Sequence, residues 1–163
     1  MLYFAYGSNM STKRLRKRIP TAKFVVVSYL ANHQINFHKA GKDGSAKCNA
    51  LKTNDDTHFV IGVVFEISAS EKIDLDRYEG LAYGYDEKIV TVVSTEGKSI
   101  EAVTYYATDI DPALKPYHWY KEHVIRGAEE HKLPQDYIQI VSDIESIDDS
   151  DLFRHDVEME IYR

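Results

Sequence analysis

Cysteine is almost absent from this sequence, and its scarcity limits the structures that the chain can form. Among the 163 residues the only cysteine is Cys48. A single thiol cannot build an internal disulfide framework, and it has no second cysteine with which to share a metal ion. We therefore expect a protein of the reducing cytoplasm, in which Cys48 has a packing or surface role.

Long apolar segments and targeting signals are also missing. The longest apolar runs have the length of a β-strand, well short of the roughly 20 residues that cross a membrane. The chain opens directly into a strand-like segment, without the basic region and apolar core of a signal peptide. These features predict no membrane association. The length of 163 residues predicts a single domain, residues 1–163, that can bury its own core.

Positive charge is in short supply. The formal net charge is −6, which argues against nucleic acid as a general partner. The one basic cluster, between Lys13 and Arg18, is most simply the solvated face of a helix. The sequence therefore predicts no nucleic-acid role. It does not determine the oligomeric state, and a homodimer is compatible with it.

Motifs for metal or nucleophilic chemistry are absent too. His33 and His38 are five residues apart in a strand-like region, so they would face opposite sides of a sheet. His118 and His123 have the same spacing on a predicted helix, where facing residues lie three or four apart. The surroundings of Ser8 do not match Gly-x-Ser-x-Gly, and no glycine-rich phosphate loop occurs. We therefore predict no metal site and no serine nucleophile.

The most informative segment lies at the N-terminus. Residues 2–6 have an apolar, aromatic strand pattern that breaks at residues 7–9 (Gly-Ser-Asn), and a basic helix-like segment follows from Ser11 to Arg18. A turn of this kind presents backbone N–H groups that suit a carboxylate or a developing oxyanion. With Ser11 as N-cap, the helix would add its positive end to the same place. An ordinary strand-to-helix turn has the same residue types.

Strand and helix patterns alternate irregularly along the rest of the chain. Strand patterns occur at residues 23–37, 49–53, 58–67, 88–94 and 98–108, and helix patterns at residues 68–79, 116–132 and 135–144. Residues 39–47 have the composition of a loop. Val157, Met159 and Ile161 alternate, which predicts a last strand. This order differs from the regular βα alternation of a doubly wound fold, and it predicts an α+β fold with a largely antiparallel, closed sheet and helices around it.

One carboxylate breaks a local rule of helix formation. Ser68 and Glu71 have the spacing of a capping box, and the helix that they start reaches Glu79 before Gly80 ends it. The negative end of the helix dipole is unfavourable for a carboxylate, and residues that break such rules are concentrated at functional sites. A carboxylate in a tyrosine-lined pocket can take and return a proton. The alternative is an exposed carboxylate at a helix end.

Three segments resemble the γ-glutamylcyclotransferase family. Phe4 to Asn9 resembles its YGSN signature. Leu75 to Gly80, followed by Gly84, resembles the family's L-D-x-x-E-G-x-x-x-G stretch, which carries a catalytic glutamate. The third match is to its C-terminal helices, at Pro116 to Tyr120, Gly127-Ala128, Leu133-Pro134 and Tyr137. The matches span most of the chain in the same order.

The resemblance implies a small mixed, largely antiparallel β-barrel with flanking helices and a reaction without cofactors. In that reaction the α-amine of a γ-glutamyl group attacks its own γ-carbonyl, which gives 5-oxoproline and a released amine or amino acid. Glu79 would act as general base and later return a proton to the leaving nitrogen. The implied substrate-binding residues are Tyr6, Gly7, Ser8, Asn9, Tyr105 and Tyr120. The last two are equally explained as core tyrosines.

One position departs from the family pattern. Two residues after Gly84, where close relatives have a pocket tyrosine, this chain has Asp86, and Tyr85 comes one place earlier. If the chain is shifted by one residue relative to the family pattern, the side chain of Tyr85 would take the place of the pocket tyrosine. Without that shift the pocket would be more acidic, and it would favour a leaving group with a cationic amine.

Two other functions are compatible with the same site. A non-catalytic module would use the pocket to hold a small carboxylate metabolite, although a pure binder has no need of a carboxylate at an unfavourable helix end. The same scaffold could also hydrolyse a γ-glutamyl amide. The products separate these functions, because hydrolysis releases glutamate and cyclisation releases 5-oxoproline.

Overall fold

A closed barrel of five strands forms the centre of the computed structural model, which describes residues 1–163. In chain order the strands are β1 (Leu2–Ala5), β2 (Lys23–Ala31), β3 (His33–Ala40), β4 (Ala46–Lys52), β5 (Phe59–Glu66), β6 (Tyr85–Ser94) and β7 (Ser99–Ala107). The barrel order is β1-β5-β2-β6-β7, and β3 pairs with β4 in a separate hairpin. Only β1 and β7 pair in parallel, through Tyr3 and Val103. The predicted α+β fold with a mixed, largely antiparallel barrel is confirmed.

Five helices surround the barrel. They are α1 (Thr12–Arg18), α2 (Ala69–Glu79), α3 (His118–Glu130), α4 (Gln135–Ser142) and α5 (Leu152–Met159), with short 3₁₀ turns at Ser8–Met10 and Glu160–Tyr162. None of the helices is both long enough and apolar enough to cross a membrane.

The barrel core follows from the composition of β5. This strand lies between β1 and β2, and it is buried at every position from Val60 to Phe65. Successive side chains of a strand point to opposite faces, so a strand without polar alternation needs cover on both sides. Phe4, Leu15 and Leu75, from β1, α1 and α2, are fully buried in the same core. This packing holds the ends of β1 and α2 close together.

Two boundaries differ from the predicted ones for local reasons. The pattern at residues 23–37 suits one long strand or two short ones, and it forms two, which part at Asn32, where φ is +58°. The second strand ends at Ala40 rather than at residue 37. The third helix begins at His118 rather than at Pro116. The backbone carbonyl of Pro116 accepts a hydrogen bond from the N–H of Ile147, and Tyr117 forms a bridge with Ile147, so both residues stay extended.

The predicted last strand is wrong. Val157 and Met159 belong to α5, and Ile161 belongs to the 3₁₀ turn that follows. The side chain of Asp151 accepts a hydrogen bond from the backbone N–H of Arg154 and so starts the helix. An alternation of three apolar residues was too short to distinguish a strand from a helix.

Candidate active site

The end of α2 brings Glu79 to the barrel. Ser68 caps the helix by accepting a hydrogen bond from the N–H of Glu71 at 3.2 Å, and Gly80 ends it in the left-handed region with φ of +70°. The hydroxyl of Tyr105, on β7, donates to Asp76 at 2.5 Å and fixes one face of α2 against the barrel. Residues three apart share a helix face. Glu79 therefore lies on the face that is turned towards β7.

The turn after β1 meets Glu79 from the other side. The hydroxyl of Tyr6 donates to the backbone carbonyl of Tyr105 at 2.6 Å, which fastens the turn to the neighbouring strand. The side-chain Nδ2 of Asn9 donates to Oε1 of Glu79 at 2.8 Å and to the hydroxyl of Tyr3 at 3.1 Å. The N-terminal turn therefore contacts Glu79, a residue far away in the sequence, which an ordinary strand-to-helix turn would not do.

Arg18 completes this cluster. Its Nη1 lies 2.9 Å from Oε1 of Glu79 and 2.9 Å from Oδ1 of Asn9. The ion pair offsets the unfavourable position of a carboxylate at a helix C-terminus. The cation comes from the last turn of α1, whereas the sequence led us to expect the N-terminal end of that helix at the site. Oε2 of Glu79 makes no hydrogen bond, so it is the oxygen that remains free for a ligand.

All seven residues that the sequence assigned to the site line one cavity. Its walls consist of Tyr3, Tyr6, Gly7, Ser8, Asn9, Cys48, Glu79, Tyr85, Tyr105 and Tyr120. Tyr3 and Arg18 also belong to the site, although the sequence did not single them out. Tyr3 could have been suspected from its place in the same aromatic strand as Tyr6, whereas Arg18 was assigned to a solvated helix face. The catalytic and binding roles of the assigned residues stay predictions.

The tyrosine hydroxyls of the cavity are neutral groups. Burial raises the pKa of Tyr6, Tyr85, Tyr105 and Tyr120 above the ordinary tyrosine value. Most of these hydroxyls donate to the protein: that of Tyr85, for example, donates to the backbone carbonyl of Cys48 at 2.5 Å. The hydroxyl of Tyr120 accepts from the N–H of Cys48 at 3.0 Å and has no acceptor of its own. Its proton is therefore available to a ligand.

Tyr85, and not Asp86, occupies the position of the pocket tyrosine that the sequence left open. Tyr85 is buried in the cavity wall, whereas Asp86 is exposed and lies 3.3 Å from the hydroxyl of Tyr106. Successive residues of a strand point to opposite sides, so only one of the two can face the cavity. The acidic pocket, and with it the argument for a cationic leaving group, is wrong.

There is little space for a side chain at Gly7. Its φ of −113° lies outside the left-handed region that favours glycine. A Cβ atom at this position would lie 3.0 Å from Cβ of Cys48 and 3.6 Å from the hydroxyl of Tyr120. The N–H of Gly7 makes no hydrogen bond within the protein. Gly7 and Tyr120 therefore present two free donors close together.

A second, outer cavity of about 290 Å³ opens beside the first. Ser8, Glu79, Tyr85 and Tyr120 line both cavities, so these residues form the boundary between them. Basic side chains dominate the outer walls, in contrast to the net charge of −6 of the whole chain. The site thus consists of a tyrosine-lined inner pocket with one carboxylate and a basic entrance.

Fold and site together define a class of protein: a small closed barrel whose pocket is lined by one positioned carboxylate and by free hydrogen-bond donors. Such a set of groups suits proton transfer together with stabilisation of an oxyanion.

Comparisons with known proteins identify the family. A sequence model of the AIG2-like family matches residues 59–141. The γ-glutamylcyclotransferases of Bos taurus and Homo sapiens are each 34% identical to the chain over 151 residues, which cover 90% of the chain and 80% of the relative. A solved structure of a γ-glutamyl cyclotransferase superposes with a TM-score of 0.86 at 29% identity, over 98% of both chains. The chain belongs to the γ-glutamylcyclotransferase family, which confirms the resemblance noted from its motifs.

Proposed function

We propose that the protein converts a γ-glutamyl amine or amino acid into 5-oxoproline and releases the free amine. The observation that carries this proposal is the arrangement around Glu79. Asn9 and Arg18 hold one carboxylate oxygen, Oε1, and leave Oε2 without a partner inside a tyrosine-lined pocket. The activity named for the 34% identical relatives is the one that such a group would perform.

Glu79 moves protons between the two nitrogens of the substrate. Oε2 takes a proton from the α-ammonium group, and the resulting amine attacks the γ-carbonyl carbon. The new C–N bond closes a five-membered ring, and the bond to the leaving nitrogen then breaks. Over the whole reaction the attacking nitrogen loses two protons and the leaving nitrogen gains two, so a single carboxylate can carry them in turn.

The turn after β1 faces the charge that develops on the γ-carbonyl oxygen. The N–H of Gly7 and the O–H of Tyr120 are two free donors that lie close together in the pocket. Donors that are held in place before the reaction stabilise an oxyanion without reorganising. Ser8 has a side-chain hydroxyl with no hydrogen bond at the boundary of the two cavities, which suits a contact to the polar groups of the substrate.

Tyr6 and Tyr105 bind substrate through their rings. Both hydroxyls already donate, to the carbonyl of Tyr105 and to Asp76 respectively, so their aromatic faces are what the cavity offers. These rings hold the glutamyl chain in the folded form that ring closure needs. The proposal includes a cytoplasmic setting, in which the buried Cys48 stays a free thiol.

Product analysis tests this function against its alternatives. The protein is incubated with γ-glutamyl-alanine, γ-glutamyl-glutamate and a γ-glutamyl alkylamine, and 5-oxoproline and glutamate are measured separately. Release of 5-oxoproline supports the cyclotransferase. Release of glutamate instead identifies a γ-glutamyl amide hydrolase. Tight binding of these compounds without any product identifies a non-catalytic module for a carboxylate metabolite.

A further inference from the structure

The outer cavity has more positive charge than its own carboxylates balance. Its basic lining residues are Arg14, Arg18, Lys39, Lys42, Lys47 and Arg77, and its acidic ones are Asp43 and Glu79. Four of the six cations have a carboxylate partner, in the pairs Arg14–Glu158, Arg18–Glu79, Lys47–Asp43 and Arg77–Asp74. Lys39 and Lys42 have none. The entrance therefore holds two cations without a counter-ion.

Lys39 is the unusual member of this pair, because it is buried. The residue is 7% exposed, yet its ammonium group makes no hydrogen bond and no ion pair. Its Nζ lies 4.8 Å from the centre of the Tyr85 ring. Burial lowers the pKa of Lys39. Nearby Asp109, Glu79 and Asp43 act in the opposite direction, although none of them forms an ion pair with it. The nitrogen itself is not among the buried polar atoms, because it faces the outer cavity, where a ligand can reach it.

Gly84 packs directly against the end of the Lys39 side chain. Gly84 has φ of +120°, and a Cβ atom there would lie 2.9 Å from both Cε and Nζ of Lys39. A larger residue would be strained at this φ and would push the end of the lysine side chain aside. Gly84 and Tyr85 thus contact the end of the Lys39 side chain at the wall of the outer cavity.

We propose that Lys39 is a specificity-determining residue, which binds a carboxylate on the leaving group of the substrate. The inference rests on the proposed function, since it assumes a γ-glutamyl ligand. The missing anion is then supplied by the ligand, and a charge-assisted hydrogen bond replaces the unpaired state. Lys42, exposed and further along the same hairpin, offers a second cation. Leaving groups with two carboxylates, such as acidic amino acids, should therefore bind best.

The position of Lys39 favours the leaving group over the glutamyl group. The atoms that close the ring must reach Glu79 at the boundary of the two cavities, and Lys39 is not among the residues that form this boundary. It lines only the outer cavity, beyond the boundary that Tyr85 and Glu79 form. The substituent on the leaving nitrogen is the part of the substrate that extends in this direction.

The test compares Lys39→Met with the wild type on three ligands of graded charge: γ-glutamyl-glutamate, γ-glutamyl-alanine and the neutral γ-glutamyl-alaninamide. For the wild type we expect kcat/KM to fall in that order. In Lys39→Met, kcat/KM should drop by about 10- to 100-fold for the two carboxylate substrates. It should change by less than about threefold for the amide, which also reports that the variant is folded.

Two further variants sharpen the comparison. Lys39→Arg keeps the charge and should retain most of the preference for carboxylates. Lys98→Met removes an exposed lysine at the turn between β6 and β7 and should behave as the wild type. An equal loss on all three ligands in Lys39→Met would overturn the inference, because Lys39 would then serve the glutamyl group or the fold.

Failure of the proposed function gives a different result. If the wild type forms no 5-oxoproline from any of the three compounds, the cyclotransferase proposal falls. Dissociation constants from calorimetry, measurable without turnover, then replace kcat/KM in the same comparison. A carboxylate preference that disappears in Lys39→Met would still support the binding role of Lys39, and affinities that are the same in both proteins would refute it.

Discussion

The side-chain amide of Asn9 donates a hydrogen bond of 2.8 Å to Oε1 of Glu79 across 70 positions of the sequence. Oδ1 of the same side chain accepts from Arg18, and Nδ2 also reaches the hydroxyl of Tyr3. Both polar atoms of the Asn9 side chain are therefore held by hydrogen bonds, and they in turn hold one carboxylate oxygen of Glu79 in place. The turn after β1 therefore orients the proposed base as well as offering a backbone donor.

Removing this amide should misplace Glu79 without removing it. In Asn9→Ala we expect kcat to fall by about 10- to 100-fold, because small misplacements of a reacting group cost about this much. KM should change much less, since Asn9 acts through Glu79. Steady-state kinetics with γ-glutamyl-alanine measure both constants. Asn54→Ala, at an exposed position in the loop before β5, is the control that should leave them unchanged. A rise in KM with constant kcat would show that Asn9 binds substrate instead.

A methyl group at Gly7 should damage the pocket more than the fold. Its Cβ would press on Cys48 at 3.0 Å and approach the hydroxyl of Tyr120, and overpacking of this kind costs about 1 kcal/mol or more. We expect Gly7→Ala to lose about tenfold or more in kcat/KM. Gly97→Ala is the matched control, because Gly97 has φ of +78° in an open hairpin turn. It should lose a similar amount of stability in urea unfolding and no activity.

Loss of the Tyr120 hydroxyl should lower both stability and rate. In Tyr120→Phe the buried N–H of Cys48 loses its acceptor, which costs about 1–3 kcal/mol. Tyr137→Phe is the contrasting variant. The hydroxyl of Tyr137 is buried without a partner, so its removal should be neutral or stabilising. Chemical unfolding compares the stabilities and 5-oxoproline release the rates. Equal stability of the two variants would contradict the hydrogen bond assigned to Tyr120.

His123 should make the stability of the protein depend on pH. Burial lowers the pKa of His123, which lies 3.0 Å from both Glu158 and Arg14. The unfolded chain therefore binds a proton before the folded protein does. Stability is complete above a pH of about 6.5 and should fall below it by up to about 1.4 kcal/mol per pH unit. Urea unfolding between about pH 7.5 and 5 measures this slope. The slope should become shallower in His123→Gln and stay unchanged in His118→Gln, at the exposed start of the same helix. Part of it should remain, because burial also lowers the pKa of His33, His38 and His131. An unchanged slope in His123→Gln would refute the assignment.

Local signals predicted the elements that deliver the site. The capping box of Ser68 and Glu71, and the stop at Gly80, fix the length of α2 and hence the position of Glu79 at its end. The N-cap at Ser11 was also predicted, and its side chain accepts from the N–H of Arg14 at 3.4 Å. Both signals work from sequence because the interacting groups lie within one helical turn of each other.

The charged partners of the site could not be predicted in this way. Arg18 belongs to a basic cluster, and nothing in the sequence distinguishes it from the other basic residues there. Only the packing of α1 against α2 brings Arg18, and not a neighbour, to Glu79. Lys39 looked like the first residue of a flexible loop, yet it is buried near the end of β3. Such contacts join residues that are far apart in sequence, and periodicity and capping rules carry no information about them.

The most direct test of the account is the rate of 5-oxoproline formation from γ-glutamyl-alanine by the wild type and by Glu79→Gln. The substitution keeps the size of the side chain and removes its ability to accept a proton. Glu66→Gln, exposed at the end of β5, controls for the loss of a carboxylate elsewhere. The account predicts that Glu66→Gln matches the wild type and that Glu79→Gln is slower by about 10²-fold or more. Equal rates in all three proteins would contradict it, because Glu79 would then have no part in proton transfer.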